Sequence, residues 1–149
     1  MKLEDEIKQQ KFKNEYQKVA INIIYTESWL KGLQLTRFKK HGVSSQQYNI
    51  LRILRGQYPK PATVNLLIDR MLDKNSNASR LVEKLRLKNY VERTICEDDR
   101  RAVNVAITQK GLDLLEKLDS MEDELQKELG SISVAEAKEL NRLLDKIRG

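Results

Sequence analysis

Between Asn89 and Thr108 the spacing of apolar residues changes from threes and fours to twos, and afterwards it changes back. Val91, Arg93 and Ile95 alternate with Glu92, Thr94 and Cys96, while Val103, Val105 and Ile107 alternate with Ala102, Asn104 and Ala106. Successive side chains of a strand face opposite ways, so each run predicts a half-buried strand. Two strands this close in sequence make a hairpin. Everything around them has helical spacing, so the chain is restricted to a mainly α fold with one small β-hairpin. The tip of that hairpin carries Asp98, Asp99, Arg100 and Arg101 in succession.

The helical segments are legible from stripes and caps. Phe12, Tyr16, Val19, Ile23 and Leu30 predict one long amphipathic helix over about 4–33. His41 and Gly42 break that pattern, and Ser44 followed by Gln47 reads as a capping box opening a helix through Tyr48, Leu51 and Leu54. Pro59 and Pro61 end it. Val64, Leu67, Ile68 and Met71 stripe a short third helix, and Asp73 is the expected cap of a fourth, striped by Ala78, Leu81, Val82 and Leu85. Two short helices this close form a helix-turn-helix, whose second helix keeps a free face. That face is expected to carry Ser76, Ser79, Arg80, Glu83 and Lys84, with Asn77 at its flank. Asn89 stands where a left-handed residue commonly ends a helix. Beyond Thr108, a predicted N-cap, Leu115, Leu118, Met121 or Glu122, Leu125 and Leu129 recur near the seven-residue spacing of an interhelical seam. Gly130 stops that helix. Ser133 with Glu136 caps a last one, striped by Ala137, Leu140, Leu144 and Ile147.

A chain of 149 residues with 40% hydrophobic and 34% charged residues fits a single domain over 1–149 that folds around its own core. No apolar run approaches a membrane span, and the opening MKLEDEIKQQ lacks the apolar stretch of a signal peptide, so a cytoplasmic protein with no membrane partner is expected. One cysteine and one histidine provide neither a disulfide framework nor the usual zinc ligands. No nucleophile with a base, metal cluster or phosphate-binding glycine loop can be assembled, so neither an enzyme nor a cofactor is expected. The net charge of +6 favours a polyanionic partner.

Residues 44–108 therefore read as a winged helix-turn-helix, a unit that lays its second motif helix in the major groove of DNA and its hairpin along the backbone or in the minor groove. Arg80 and Lys84 suit phosphate or guanine, and Asn77 suits adenine or backbone. Each feature also has a plainer reading, since charged helix faces and polar hairpin tips are commonly just solvated. Their occurrence side by side, in the order a winged helix needs, favours the functional one.

The stretch DDRRAVNVAITQKG, residues 98–111, resembles the wing signature of the MarR family of bacterial transcriptional regulators, with Asp99, Arg101, Ile107, Thr108 and Gly111 at the matching positions. SRLVEKLRLKNYVER, residues 79–93, is similar to the end of that family's recognition helix and its run into the wing. The resemblance implies that Arg101 enters the minor groove, that Asp99 orients it, and that Arg100 touches phosphate. It places Ser76, Asn77, Ser79 and Arg80 at base edges and backbone. Asn89 stands where glycine is commoner. The resemblance also implies a homodimer built from helices at about 4–33 and 108–148, a repressor's role on a pseudo-palindromic duplex, and a small-molecule effector.

Three features invite further roles. Cys96 lies on the first wing strand among acids that do not favour a thiolate, so it reads as a plain small side chain. His41 reads as a helix-end residue. Tyr25, Trp29 and Tyr48 read first as core and dimer packing, with an effector pocket as the alternative. A competing function is a winged helix serving as a protein-interaction module without sequence-specific DNA binding.

Overall fold

In the computed structural model the described residues are 1–95 and 103–149, which form seven helices and a three-stranded sheet among them. The order is α1 (Leu3–Glu6), α2 (Glu15–Lys40), α3 (Ser45–Gln57), β1 (Ala62–Thr63), α4 (Val64–Arg70), α5 (Ala78–Leu87), β2 (Val91–Ile95), β3 (Val103–Ile107), α6 (Gln109–Glu128) and α7 (Val134–Arg148). The fold is a winged helix flanked by long helices. Among the described residues no helix is long and apolar enough to cross a membrane.

The single first helix expected over 4–33 is two helices. Asn14 starts α2, its Oδ1 accepting from the Gln17 N–H at 2.9 Å while Gln17 Oε1 accepts from Lys13 N–H at 2.7 Å. This reciprocal cap satisfies donors that a continuous helix would have consumed internally. Phe12, taken for the first residue of the stripe, lies in the connection before Asn14. The short α1 folds back on α2 through buried Leu3, a Lys18–Glu4 ion pair at 2.5 Å and a Tyr25 hydroxyl donating to Glu6 at 2.6 Å. Helix α2 then runs on to Lys40 and ends at His41, with Gly42 at φ 66°.

The core is organised on α3. Its capping box forms as the sequence predicts, with Ser44 Oγ accepting from Gln47 N–H and Gln47 Oε1 accepting from Ser44 N–H. Ile50, Leu51 and Leu54 are at most 1% exposed and pack with Phe38, Leu67, Val82, Leu85, Val105 and Leu115. Arg55 adds a two-pronged bond to Asp119 of α6, at 2.8 and 2.9 Å.

The helix-turn-helix differs from expectation in its turn. Met71 closes α4 rather than continuing it, and Ile68 is 41% exposed, so the buried stripe narrows to Leu67 and Met71 with Val64 packed beside them. Asp73 does not cap α5. It folds the connection instead, accepting from Asn75 N–H at 3.0 Å through its side chain and from Ser76 N–H through its carbonyl. Asn77 is the cap, its Oδ1 accepting from Arg80 N–H at 2.9 Å. Asn49 Oδ1 accepts from Leu72 N–H at 2.9 Å and fastens the turn to α3. Helix α5 then buries Ala78, Val82 and Leu85, with Leu81 at the margin.

Asn89 adopts φ 60°, the left-handed conformation its position suggested. The sheet order is β1-β3-β2, all antiparallel, with Val91 opposite Ile107 and Ile95 opposite Val103. The two-residue β1, pairing Ala62 with Val105, has no counterpart in the sequence reading. Its burial explains β3, whose Val105 is fully enclosed. The outer strand is less buried than alternation suggested: Val91 is enclosed, and the rest of β2 is exposed.

Thr108 ties the wing to α6. Its N–H donates to Tyr90 O, its hydroxyl donates to Asn89 O at 2.8 Å, and the same oxygen accepts from Gly111 N–H at 3.1 Å. Gly111 has no room for a side chain, since a Cβ there would lie 2.4 Å from Tyr90 O and 2.7 Å from Ile107 Cγ1. The isoleucine, threonine and glycine of the wing signature thus form one junction. Alanine normally improves a helix over glycine by about 1 kcal/mol. Gly111→Ala is expected to destabilise by about 1–3 kcal/mol instead, as overpacking does. Denaturant unfolding measures this, and a neutral or stabilised variant would show that the junction yields.

Candidate nucleic-acid interface

Because α5 turns Ala78, Val82 and Leu85 into the core, the opposite side must face outward. Ser79, Arg80 and Lys84 are exposed there, in accord with the sequence expectation. Ser76 and Asn77 precede the helix. Ser76 is half-buried in the turn, hydrogen-bonded to Asp73, whose carboxyl it holds below the usual range with help from the Asn75 N–H. Asn77 is exposed, but its carboxamide oxygen serves the cap. Bidentate reading of adenine needs that same oxygen.

Glu83 is part of the expected face and has a role that spacing alone does not reveal. Its Oε1 accepts from Arg86 Nη2 at 2.7 Å, and its Oε2 accepts from Arg86 Nε at 3.0 Å and from Arg93 Nη1 at 3.2 Å. Arg86, first, and Arg93 hold the carboxyl down at about 2. This cluster joins α5 to β2. The i,i+3 spacing of Glu83 and Arg86 is visible in sequence; the approach of Arg93 depends on the path of the chain after Asn89.

Other cations near the wing hold the backbone. Lys88 Nζ donates to Gly42 O, and Lys110 Nζ donates to Lys88 O at 3.0 Å while lying 5.2 Å from the Tyr90 ring centroid. Cys96, Asp98, Asp99, Arg100 and Arg101 lie outside the described residues. The remaining seam positions Met121 and Glu122 have no described side chains.

The three aromatic residues read as an alternative pocket have separate surroundings. The Tyr25 hydroxyl is bound to Glu6, which raises its pKa, Trp29 is 39% exposed on α2, and Tyr48 rests on Phe38 with centroids 4.8 Å apart. Burial raises the Tyr48 phenol. No ring contact among the described residues joins the three. Nor do the described residues gather three or more histidine, cysteine or acidic side chains suited to a metal.

A family model described as the MarR family matches residues 41–102, which take in α3, the helix-turn-helix and β2. The HTH-type transcriptional regulator MgrA of Staphylococcus aureus is 28% identical over 110 residues, 74% of this chain and 73% of MgrA. The crystal structure of a MarR transcription factor from Planctomyces limnophilus is 30% identical, with a TM-score of 0.69, covering 91% of this chain and 98% of that one. A mutant MarR from E. coli, crystallised in complex with operator DNA, shares the fold at a TM-score of 0.80 and 21% identity, covering 93% and 99%. Sequence likeness over nearly the full length of the Planctomyces protein, joined to the same winged helix, makes this chain a member of the MarR family of transcriptional regulators.

Proposed function

We propose that this regulator is a homodimeric repressor that binds a pseudo-palindromic DNA duplex and is released by a small ligand. The observation that carries the DNA-binding reading is the outward face of α5, where Ser79, Arg80 and Lys84 stand over a fully packed opposite side. A rigidly seated helix with cations and hydroxyls outward suits the major groove. Arg80 and Lys84 would take phosphate or guanine, and Ser79 a base edge or backbone. Ser76 and Asn77, at the helix start, would meet backbone, since their polar atoms already serve the turn and the cap. At the hairpin tip, Arg101 is assigned to the minor groove, with Asp99 orienting it and Arg100 on phosphate. A protein-interaction module would be favoured by an apolar or acidic face, and this face is neither.

The dimer reading rests on the terminal helices. Helix α7 buries no residue, and Leu140 and Ile147 are 49% and 61% exposed. Its capping box and the Glu139–Arg142 and Asp145–Arg148 pairs support the helix locally, but a helix this short is marginal in water without a packed face. Helix α2 exposes Tyr16 and Ile24 as well. A second copy covering these faces joins 1–149 into one unit, the winged helix over 44–108 lying between dimerising ends. A two-fold dimer sets half-sites about one helical turn apart. Tyr25, Trp29 and Tyr48 sit on α2 and α3, the helices between which an effector would lodge.

Duplexes selected from a random pool should carry an inverted repeat. On the selected duplex, Arg101→Ala and Arg80→Ala are each expected to weaken binding about tenfold or more, and Lys84→Ala to lower the log–log salt slope by about one. Undiminished affinity in Arg101→Ala would remove the wing assignment. Sedimentation should show a wild-type dimer that Leu140→Glu with Ile147→Glu converts to monomer; a dimer surviving both changes would place the interface elsewhere.

A further inference from the structure

Helix α5 carries a single acid, Glu83, and it lies on the side that the proposed function turns toward phosphate. An acid there repels the ligand, so its presence needs a compensating role. Its geometry indicates one. Arg86 grips the carboxylate through two nitrogens, which fixes its rotamer and leaves Oε2 aimed at Arg93 on the neighbouring strand. In the hairpin Arg93 is opposite Val105, the deepest residue of β3. Beyond Val91 the core holds nothing of β2, and Ile95 is 70% exposed. Among the described residues Arg93–Glu83 is the outermost side-chain tie between hairpin and helix.

We propose that Glu83 is a positioning residue of the DNA interface, its carboxylate setting, through Arg93, the angle at which the wing leaves the recognition helix. The inference rests on the reading of α5 and the hairpin as the DNA-binding surface. The pair is open to water, so its contribution to folding is small, and its effect lies in where it holds the hairpin. A charge-assisted bond fixes direction as well as distance. The carboxyl, held near 2, stays ionised throughout the usable range. A depressed carboxyl contributes fully above its ordinary value of 4.5 and loses that contribution only as pH falls toward about 2.

The sign of one substitution separates this role from simple repulsion. Glu83→Gln removes a negative charge, so an acid that only repels phosphate would give tighter binding when lost. Positioning predicts the reverse on the duplex selected by the wild type: about tenfold weaker binding, with equal or stronger binding to random duplex. Hydroxyl-radical protection should fade at the outer edges of the site, where the wing lies, and persist under α5. The deficit should stay constant from about pH 5 to about pH 8, with the unfolding midpoint nearly unchanged. Arg93→Gln should weaken specific binding too, and adding Glu83→Gln to it should change nothing further. Tighter or unchanged specific binding by Glu83→Gln, or an equal loss with and without Arg93, would overturn the proposal. A wild-type dimer that binds no duplex would instead remove the functional reading beneath it.

Discussion

The buried side of α3 is the constraint from which the rest of the winged helix follows. Ile50, Leu51 and Leu54 have almost no contact with water, and α2, α4, α5, β3 and α6 each place a side chain against that cluster. Close packing leaves each neighbour few ways to sit, because a shift of a methylene's width costs about 1 kcal/mol or more. The outward face of α5 is therefore fixed by what its inward face must meet. Two polar anchors set the remaining freedom: Asn49 holds the turn before α5, and Arg55 holds α6.

Much of this was legible because helical stripes and caps are local signals. Both capping boxes, the Asn89 end, the Thr108 cap and the hairpin appear where the sequence places them. The misreadings share a cause. Asp73 and Asn77 are both good cap residues, and nothing in their spacing says that the first folds a turn while the second opens the helix. The break before Asn14 falls in a stretch whose apolar spacing continues through it, so periodicity hides it. Strand β1 is too short to show a period and exists because β3 has an edge to cover. In the candidate interface, the exposure of Ser79, Arg80 and Lys84 was readable from the wheel of α5, whereas the link from Glu83 to Arg93 depends on tertiary geometry.

The net charge of +6 is a poor measure of the cations free to meet a polyanion. Arg86 and Arg93 share Glu83, Arg55 is taken by Asp119, and Lys88 and Lys110 hold backbone carbonyls. Arg80 and Lys84 form no ion pair among the described residues. A basic balance therefore locates nothing by itself. What separates a binding cation from a structural one is whether an acid or carbonyl of the same chain already occupies it.

Helix and hairpin are accordingly placed by different forces. Helix α5 takes its position from apolar packing, which is insensitive to salt and tolerates little displacement. The hairpin is anchored at its base by Val91, Ile107 and the Thr108–Gly111 junction, one step out by buried Val105 and the Glu83–Arg93 pair opposite it, and beyond that by strand pairing. Packing at the base fixes where the wing starts. Farther out, a two-stranded ribbon can bend and twist more readily than a helix seated in the core. Its direction depends on contacts that water can reach, and among the described residues the Glu83–Arg93 pair is the outermost side-chain tie between hairpin and helix.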